Sequence, residues 1–262
     1  MVDIGAIRCP LFVPANRPER FAKAALSGAD AVILDLEDAI AAKDKDSARG
    51  ALRCDFTSLP VIVRVNAIGT TWHMHDLAAV AGLPLAAVML PKAEDPAACA
   101  AVARLTGKPV IALVETALGL AQARAIAAAP GVVRLAFGSI DFCADLGCAH
   151  THDILLPVRL ELVLASRLAR IDAPIDGVTV VLDDPAISQA DAGHARTLGM
   201  TGKLCIHPRQ IAAIRAALGP SPAETDWAHR VLASGDGAVT LDGEMVDEPV
   251  RVRARAILAA SS

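Results

Sequence analysis

The feature that most constrains the fold is a repeated alternation. Short runs of β-branched and aliphatic residues alternate with Ala-rich segments of helical composition along most of the chain. The apolar runs are LFVP at 11–14, AVILDL at 31–36, VIVRVN at 61–66 and AAVMLP at 86–91. VIALVET at 110–116, VVRLAFG at 132–138, GVTVVL at 177–182 and KLCIHP at 203–208 follow. They are nearly continuously apolar, which is the pattern of strands buried on both faces. Gly28, Gly107 and Gly199 sit just after helical stretches, as C-cap glycines do. Eight strand–helix units in series predict an α/β fold of the parallel TIM (β/α)8 barrel class. No GxGxxG follows the first strand, which removes the usual dinucleotide-binding form of an open doubly wound sheet.

The chain has 262 residues, a length that α/β barrels reach as one domain. The rhythm holds over 1–219, the expected catalytic barrel. Residues 220–262 break it: GPSPAET leads into a helix near 223–233 and then the hairpin-like GAVTLDGEMVDEPVRVRARAIL. This extension is expected to serve as a lid or an oligomer contact. Hydrophobic residues at 54% supply a large core. The formal net charge of −4 argues against a nucleic-acid footprint. No apolar run approaches the roughly 18 residues of a membrane span. MVDIGAIRCPLF has no signal-peptide pattern, and the six cysteines form no CxxC pair. Reduced thiols in a cytoplasmic protein are the expectation, not a zinc cluster.

In such barrels the active site lies at the C-terminal ends of the strands. Polar residues gather there: Asn16 and Arg17; Asp35, Glu37 and Asp38; Arg64 and Asn66; Lys92 and Glu94; Glu115 and Thr116; Ser139 and Asp141; His207. Glu115 and Asp141 end adjacent strands, where two carboxylates can share one ion. Oxygen-only ligation by few protein groups suits Mg²⁺, with Mn²⁺ as a substitute, and no paired His ligands favour zinc or iron. Asp141 has a second reading as a helix cap. Arg64, inside a buried strand, reads equally as a structural ion pair or as a guanidinium for a carboxylate or an oxyanion. Among Asp35, Glu37 and Asp38, one faces the lumen and another caps or pairs, with Arg49 as a partner. His207 reads as a loop residue, and His73 and His75 as surface residues.

Several long blocks, in order, resemble the citrate lyase β-subunit-like (CitE-like) acyl-CoA lyases of the HpcH/HpaI aldolase superfamily. They are RCPLFVPANRPERFAKA, AVILDLEDAI with KDSAR, VIVRVNAIGTTW, VMLPKAE, IALVETALGL, LAFGSIDFCADLG and GKLCIHPRQI. Cys9 and Ala15 stand where Ser and Gly are usual. The resemblance implies a TIM barrel that binds Mg²⁺ through Glu115 and Asp141, with Arg64 on substrate oxygens and Glu37 behind the metal's waters. It implies substrate contacts from Arg8, backbone N–H groups at Ile140 and Asp141 for a carboxylate, and Lys23 and Lys92 toward CoA. DGEMVDEP resembles a lid whose acid, here Asp247, reaches a neighbouring subunit's site in a homotrimer or a dimer of trimers. The implied reaction is reversible cleavage of a 3-hydroxyacyl-CoA (malyl-, citramalyl- or citryl-CoA) to acetyl-CoA and a 2-oxoacid. A subunit acting on an acyl-carrier thioester and a CoA-independent 2-oxoacid aldolase are the alternatives.

Overall fold

The computed structural model describes residues 2–260. Eight parallel strands run in sequence order: β1 Pro10–Pro14, β2 Ala31–Asp35, β3 Val61–Arg64, β4 Ala87–Leu90, β5 Val110–Val114, β6 Val132–Phe137, β7 Asp172–Asp176 and β8 Gly202–Lys203. The sheet closes on itself. Phe12 N–H donates to the Cys205 carbonyl and Cys205 N–H to the Pro10 carbonyl, both at 2.9 Å. The fold is therefore a TIM barrel, as the alternation predicts.

Burial on both faces follows from the layering. Ile33, Ile62, Met89, Ile111, Leu113, Ala136, Ile175 and Leu204 fill the lumen. Their neighbours along the strands, such as Leu34 and Val63, are buried on the outer face beneath the helices. Each large aliphatic side chain buried this way contributes about 1.5–3 kcal/mol.

Arg134 closes the N-terminal end of the lumen. It is fully buried and donates to the carbonyls of Ile4, Ile7 and Ala173 at 2.7 Å each, and to Thr201 Oγ1 at 3.0 Å. Burial pushes its pKa down to about 10, against the pull of Asp172, Asp30 and Asp3. The guanidinium is still charged at neutral pH, and its four acceptors tie the N-terminal segment to β7 and to the approach to β8.

The seventh strand corrects the sequence reading. The β-branched run 177–182 is not a strand, and Val180, Val181 and Leu182 are exposed. The strand is the preceding DAPID, whose Ile175 pairs with Ala136 and Gly202. The acid at its end is satisfied by buried partners. Asp176 accepts from Arg159 Nε at 2.7 Å and Lys203 Nζ at 3.0 Å. Burial alone would raise the Asp176 carboxyl; Lys203 and Arg159 outweigh it and hold the pKa below the usual range.

The chain divides into two compact units between Arg215 and Ala216, inside the helix Ile211–Leu218 rather than in the Pro/Ser segment beyond residue 219. In the second unit the helices Pro222–Ala233 and Glu248–Ala260 flank a hairpin, β9 Val239–Leu241 and β10 Glu244–Val246. Asp242 and Gly243 both have positive φ, as an Asp-Gly hairpin turn requires. Ala228, Val231, Val246, Ala254 and Ile257 form this unit's core. The end of the hairpin-like stretch is thus a 13-residue helix. Among the described residues no helix is long and apolar enough to cross a membrane.

Candidate active site

A cavity of about 300 Å³ opens at the C-terminal ends of the strands. Its floor is the top of the lumen core: Leu113, Leu204, Phe12 and Val178. Asp35, Asp38, Arg64, Glu115, Ser139, Ile140 and Asp141 supply its polar wall and rim.

Sheet register places the first group. Asp35 and Arg64 are direct partners across β2 and β3. Arg64 Nε and Nη2 donate to the two oxygens of Asp35 at 2.7 Å each, a bidentate pair. Arg64 Nη1 also stands 2.9 Å from Glu37 Oε2, a proximity pair, since that oxygen is buried and accepts no hydrogen bond. Burial disfavours the guanidinium, but Asp35, Glu37 and Glu115 outweigh it and raise its pKa above the ordinary value. Arg64 is therefore a buried ion-pair partner of Asp35 that also lines the cavity.

Glu115 follows the last residue of β5 and is 1% exposed. Gly138 follows the last residue of β6, and a Cβ there would lie 2.3 Å from Glu115 Oε2. Only glycine leaves room for this carboxylate. The next residues form the helix Ser139–Leu146, so Asp141 lies in its first turn. Asp141 makes no side-chain cap; the cap residue is Gly138. The Ile140 and Asp141 amides belong to the first turn, whose N–H groups have no helical acceptor and suit an anion.

Lys92 joins these groups in a way that its sequence position conceals. It has a left-handed backbone, φ 46°, a cost that persists only where the surroundings impose it. Its N–H donates to Glu115 Oε1 at 2.8 Å and its Nζ to Glu37 Oε1 at 2.9 Å. Burial works against the Lys92 ammonium, but Glu37 and Glu115 raise its pKa. Lys92 thus clamps two carboxylates at the barrel mouth.

Burial and then repulsion from Glu37 and Asp141 push the Glu115 pKa up to about 8, against the Lys92 N–H and Arg64. Burial likewise raises Glu37, against Arg64 and Lys92. A bound cation would relieve this crowding of carboxylates. Among the described residues no three His, Cys, Asp or Glu side chains form a ready ligand set. The donor set is two carboxylates, with open space for waters and substrate oxygens. That fits Mg²⁺ and does not fit zinc.

Other expected site residues lie elsewhere. Arg8 precedes β1 at the opposite, N-terminal end of the barrel, where its N–H donates to Asp30 and its carbonyl accepts from Lys203 N–H. It does not line the cavity, so its expected substrate contact is corrected. Lys23 is exposed beside Arg20 and His207 at a second recess, which shares Phe12, Pro14 and Ile206 with the first. Arg49 pairs with Asp76 and Asp46 rather than with the acids after β2. His73 is buried against the Asn66 carbonyl rather than on the surface. Lys45 passed unnoticed in the sequence; it is buried and donates to the Leu36 and Glu37 carbonyls and to Asn66 Oδ1. In the second unit Asp247 caps Glu248–Ala260, its Oδ1 3.4 Å from Val250 N–H.

Fold and site define a class: a TIM barrel whose mouth sets carboxylates and one fixed guanidinium above an apolar floor. Residues 8–208 match the family described as HpcH/HpaI aldolase/citrate lyase, and the chain belongs to that family. A citrate lyase subunit beta-like protein of Mycobacterium tuberculosis is 43% identical, over 95% of this chain and 93% of that protein. A (3S)-malyl-CoA thioesterase of Cereibacter sphaeroides is 34% identical, over 96% of this chain and 93% of that one. The crystal structure of M. tuberculosis CitE in complex with magnesium, acetoacetate and coenzyme A has a TM-score of 0.89 and 41% identity. It covers 98% of this chain and 99% of its own.

Proposed function

We propose that this chain is a Mg²⁺-dependent carbon–carbon lyase acting on a 3-hydroxyacyl-CoA, releasing acetyl-CoA and a 2-oxoacid. The observation that carries the reading is one cavity into which Glu115, Asp141 and an Asp35-anchored Arg64 all face. The magnesium and coenzyme A in the M. tuberculosis structure support it.

Glu115 and Asp141 would hold the ion, which supplies positive charge for the substrate's carboxylate and adjacent oxygen. The Ile140 and Asp141 amides bind the carboxylate. Arg64 remains protonated throughout and faces the oxygen on which charge develops as the hydroxyl gives its proton to water and the C–C bond breaks. Lys92 holds Glu115 and Glu37 in place. The bond electrons pass to the thioester's α-carbon, and the resulting enolate takes a proton to give acetyl-CoA. Asp247 of a neighbouring subunit is the proposed proton donor, and the base in the reverse direction. The recess bearing Arg20 and Lys23 takes the phosphate-rich end of CoA.

Incubation of citramalyl-CoA and malyl-CoA with the enzyme, with and without EDTA, tests the reading by mass spectrometry. Acetyl-CoA formation abolished by EDTA is expected; free hydroxyacid alone would identify a thioesterase instead. In calorimetric titration of Mg²⁺, Glu115→Ala and Asp141→Ala should each weaken binding by at least about tenfold. Unchanged affinity in both would remove the metal assignment.

Asp247→Asn separates chemistry from folding, because asparagine caps a helix as well as aspartate does. The variant should keep its thermal stability and Mg²⁺ affinity. Its exchange of the acetyl-CoA methyl protons in D₂O should fall by at least about 100-fold. Wild-type exchange would dismiss Asp247 from the mechanism.

A further inference from the structure

A further recess lies apart from the barrel-mouth cavity, and no step of the mechanism uses it. It holds about 340 Å³ between the start of the helix His152–Ala169, the segment after β7 and the helix Pro185–Thr197. It shares no lining residue with the catalytic cavity.

Three observations give it a chemistry. The first is Arg159, which lines the recess and is 3% exposed. Its Nε and Nη2 donate to Asp176, while Nη1 is buried and has no hydrogen-bond partner. A buried guanidinium nitrogen without an acceptor is costly and asks for a reason. Lys203 shares the same Asp176, so this triad carries one surplus positive charge. The second is the helix His152–Ala169. It has 18 residues, and its N-cap, Thr151, makes no side-chain cap. Its first-turn N–H groups have no helical acceptor and sit at the positive end of the helix dipole, which suits an anion. Thr151 and His152 line the recess, whereas Asp153, the acid of that turn, is exposed and does not. The third is the state of the other ionisable groups. Asp191, the acid of the lining, already accepts from Thr179 Oγ1 at 2.5 Å and pairs with His152 Nε2 at 2.7 Å. His152 stacks on His194. Burial, Arg159 and Lys203 hold His150 below its ordinary pKa, against Asp191 and Asp176. The field at this wall is therefore positive.

The remaining lining side chains, Leu155, Val180, Val181 and Ile187, are apolar. Leu155 is buried and the other three are exposed. Val180 and Val181 belong to the β-branched run that forms no strand.

We propose that this recess binds a small monocarboxylate with a short apolar tail. Arg159 and the first-turn N–H groups hold the carboxylate, and the tail covers Val180, Val181 and Ile187. A second carboxylate would meet Asp191, and inorganic phosphate would gain nothing from the apolar side chains. The site is independent of the lyase reading. It stands one hydrogen bond from the catalytic cavity, since His150 Nε2 in its lining is 2.9 Å from Ser139 Oγ.

Calorimetric titration of the full-length protein, freed of divalent cations, tests this with acetate, butyrate and inorganic phosphate. Butyrate should bind at one site, about tenfold more tightly than acetate, the worth of two buried CH₂ groups. Phosphate should bind more weakly than butyrate. Ile187→Glu and, separately, Val180→Glu put an acid at an exposed edge of the recess. Each should weaken butyrate binding at least about tenfold through like-charge repulsion, while the melting temperature stays near that of the wild type. Butyrate binding that is absent, or that keeps wild-type strength in the folded variants, overturns the site. Phosphate binding more tightly than butyrate, or acetate binding as tightly, overturns the ligand class.

Discussion

Replacing Arg64 with alanine is expected to lower kcat/KM for thioester cleavage by roughly 10³, the usual loss when a donor to a developing oxyanion is removed. The same change strips Asp35, which is 1% exposed, of both its guanidinium bonds. An uncompensated buried carboxylate costs about 3–5 kcal/mol. The variant should therefore lose stability as well as activity, and the two losses need separating. Arg64→Lys does this. Lysine keeps a charge beside Asp35 but has no fork to span both oxygens while still facing the cavity. Thermal melts should show most of the stability restored, while kcat/KM remains at least about 100-fold down. If Arg64→Lys restored activity and stability together, the guanidinium would be a structural partner of Asp35 and nothing more.

The second large effect concerns Asp176, outside the cavity. Asp176→Ala leaves Arg159 and Lys203, 3% and 1% exposed, facing each other without an anion. Destabilisation of about 3–5 kcal/mol follows from breaking a buried ion pair. The pH dependence has a definite sign. The folded-state pKa of Asp176 lies below its unfolded value, held there by Lys203 and Arg159 against burial. The unfolded carboxyl titrates near 3.9, so this stabilisation is fully present above about pH 5. It declines as pH falls through 4 and is gone below the depressed folded pKa. Denaturant titrations between pH 7 and pH 3 check this: wild-type stability should fall over that range more steeply than that of Asp176→Asn. Parallel profiles for the two proteins would mean that the triad adds nothing to acid sensitivity.

Asp176 also shows why one strand escaped the sequence. Six of the other barrel strands advertise themselves as apolar runs because both of their faces are buried. DAPID hides two acids and a proline in a strand, and the acid at its end is tolerable only because cations arrive from the helix His152–Ala169 and from β8. Those partners are 17 and 27 residues away in the chain. The β-branched run that follows looked more strand-like, yet it forms no strand, and its last three residues, Val180, Val181 and Leu182, lie exposed. β-propensity measures fit to a half-buried surface, and tertiary contacts decide which segment obtains that surface.

For the site, the sequence was legible where position along a strand was enough. Glu115 and Asp141 could be named because the C-terminal ends of adjacent barrel strands converge, and Arg64 because a charge inside an apolar run needs a reason. Arg8 shows the limit. It belongs to the same strand region as Pro14, but five residues of β1 separate it from the mouth. Lys92 shows it differently, since its role depends on a left-handed backbone angle that no local pattern announces.

The sequence alone determined the barrel, the end of it that carries the chemistry, and the acids and guanidinium found there, because these depend on periodicity and chain order. Only the tertiary structure decided which charges pair, how Lys92 clamps Glu37 and Glu115, why residue 138 is glycine, and what the cavity floor is made of. Those outcomes depend on distances between segments far apart in the chain. At the barrel mouth, burial and neighbouring charge, rather than residue type, set what each group does.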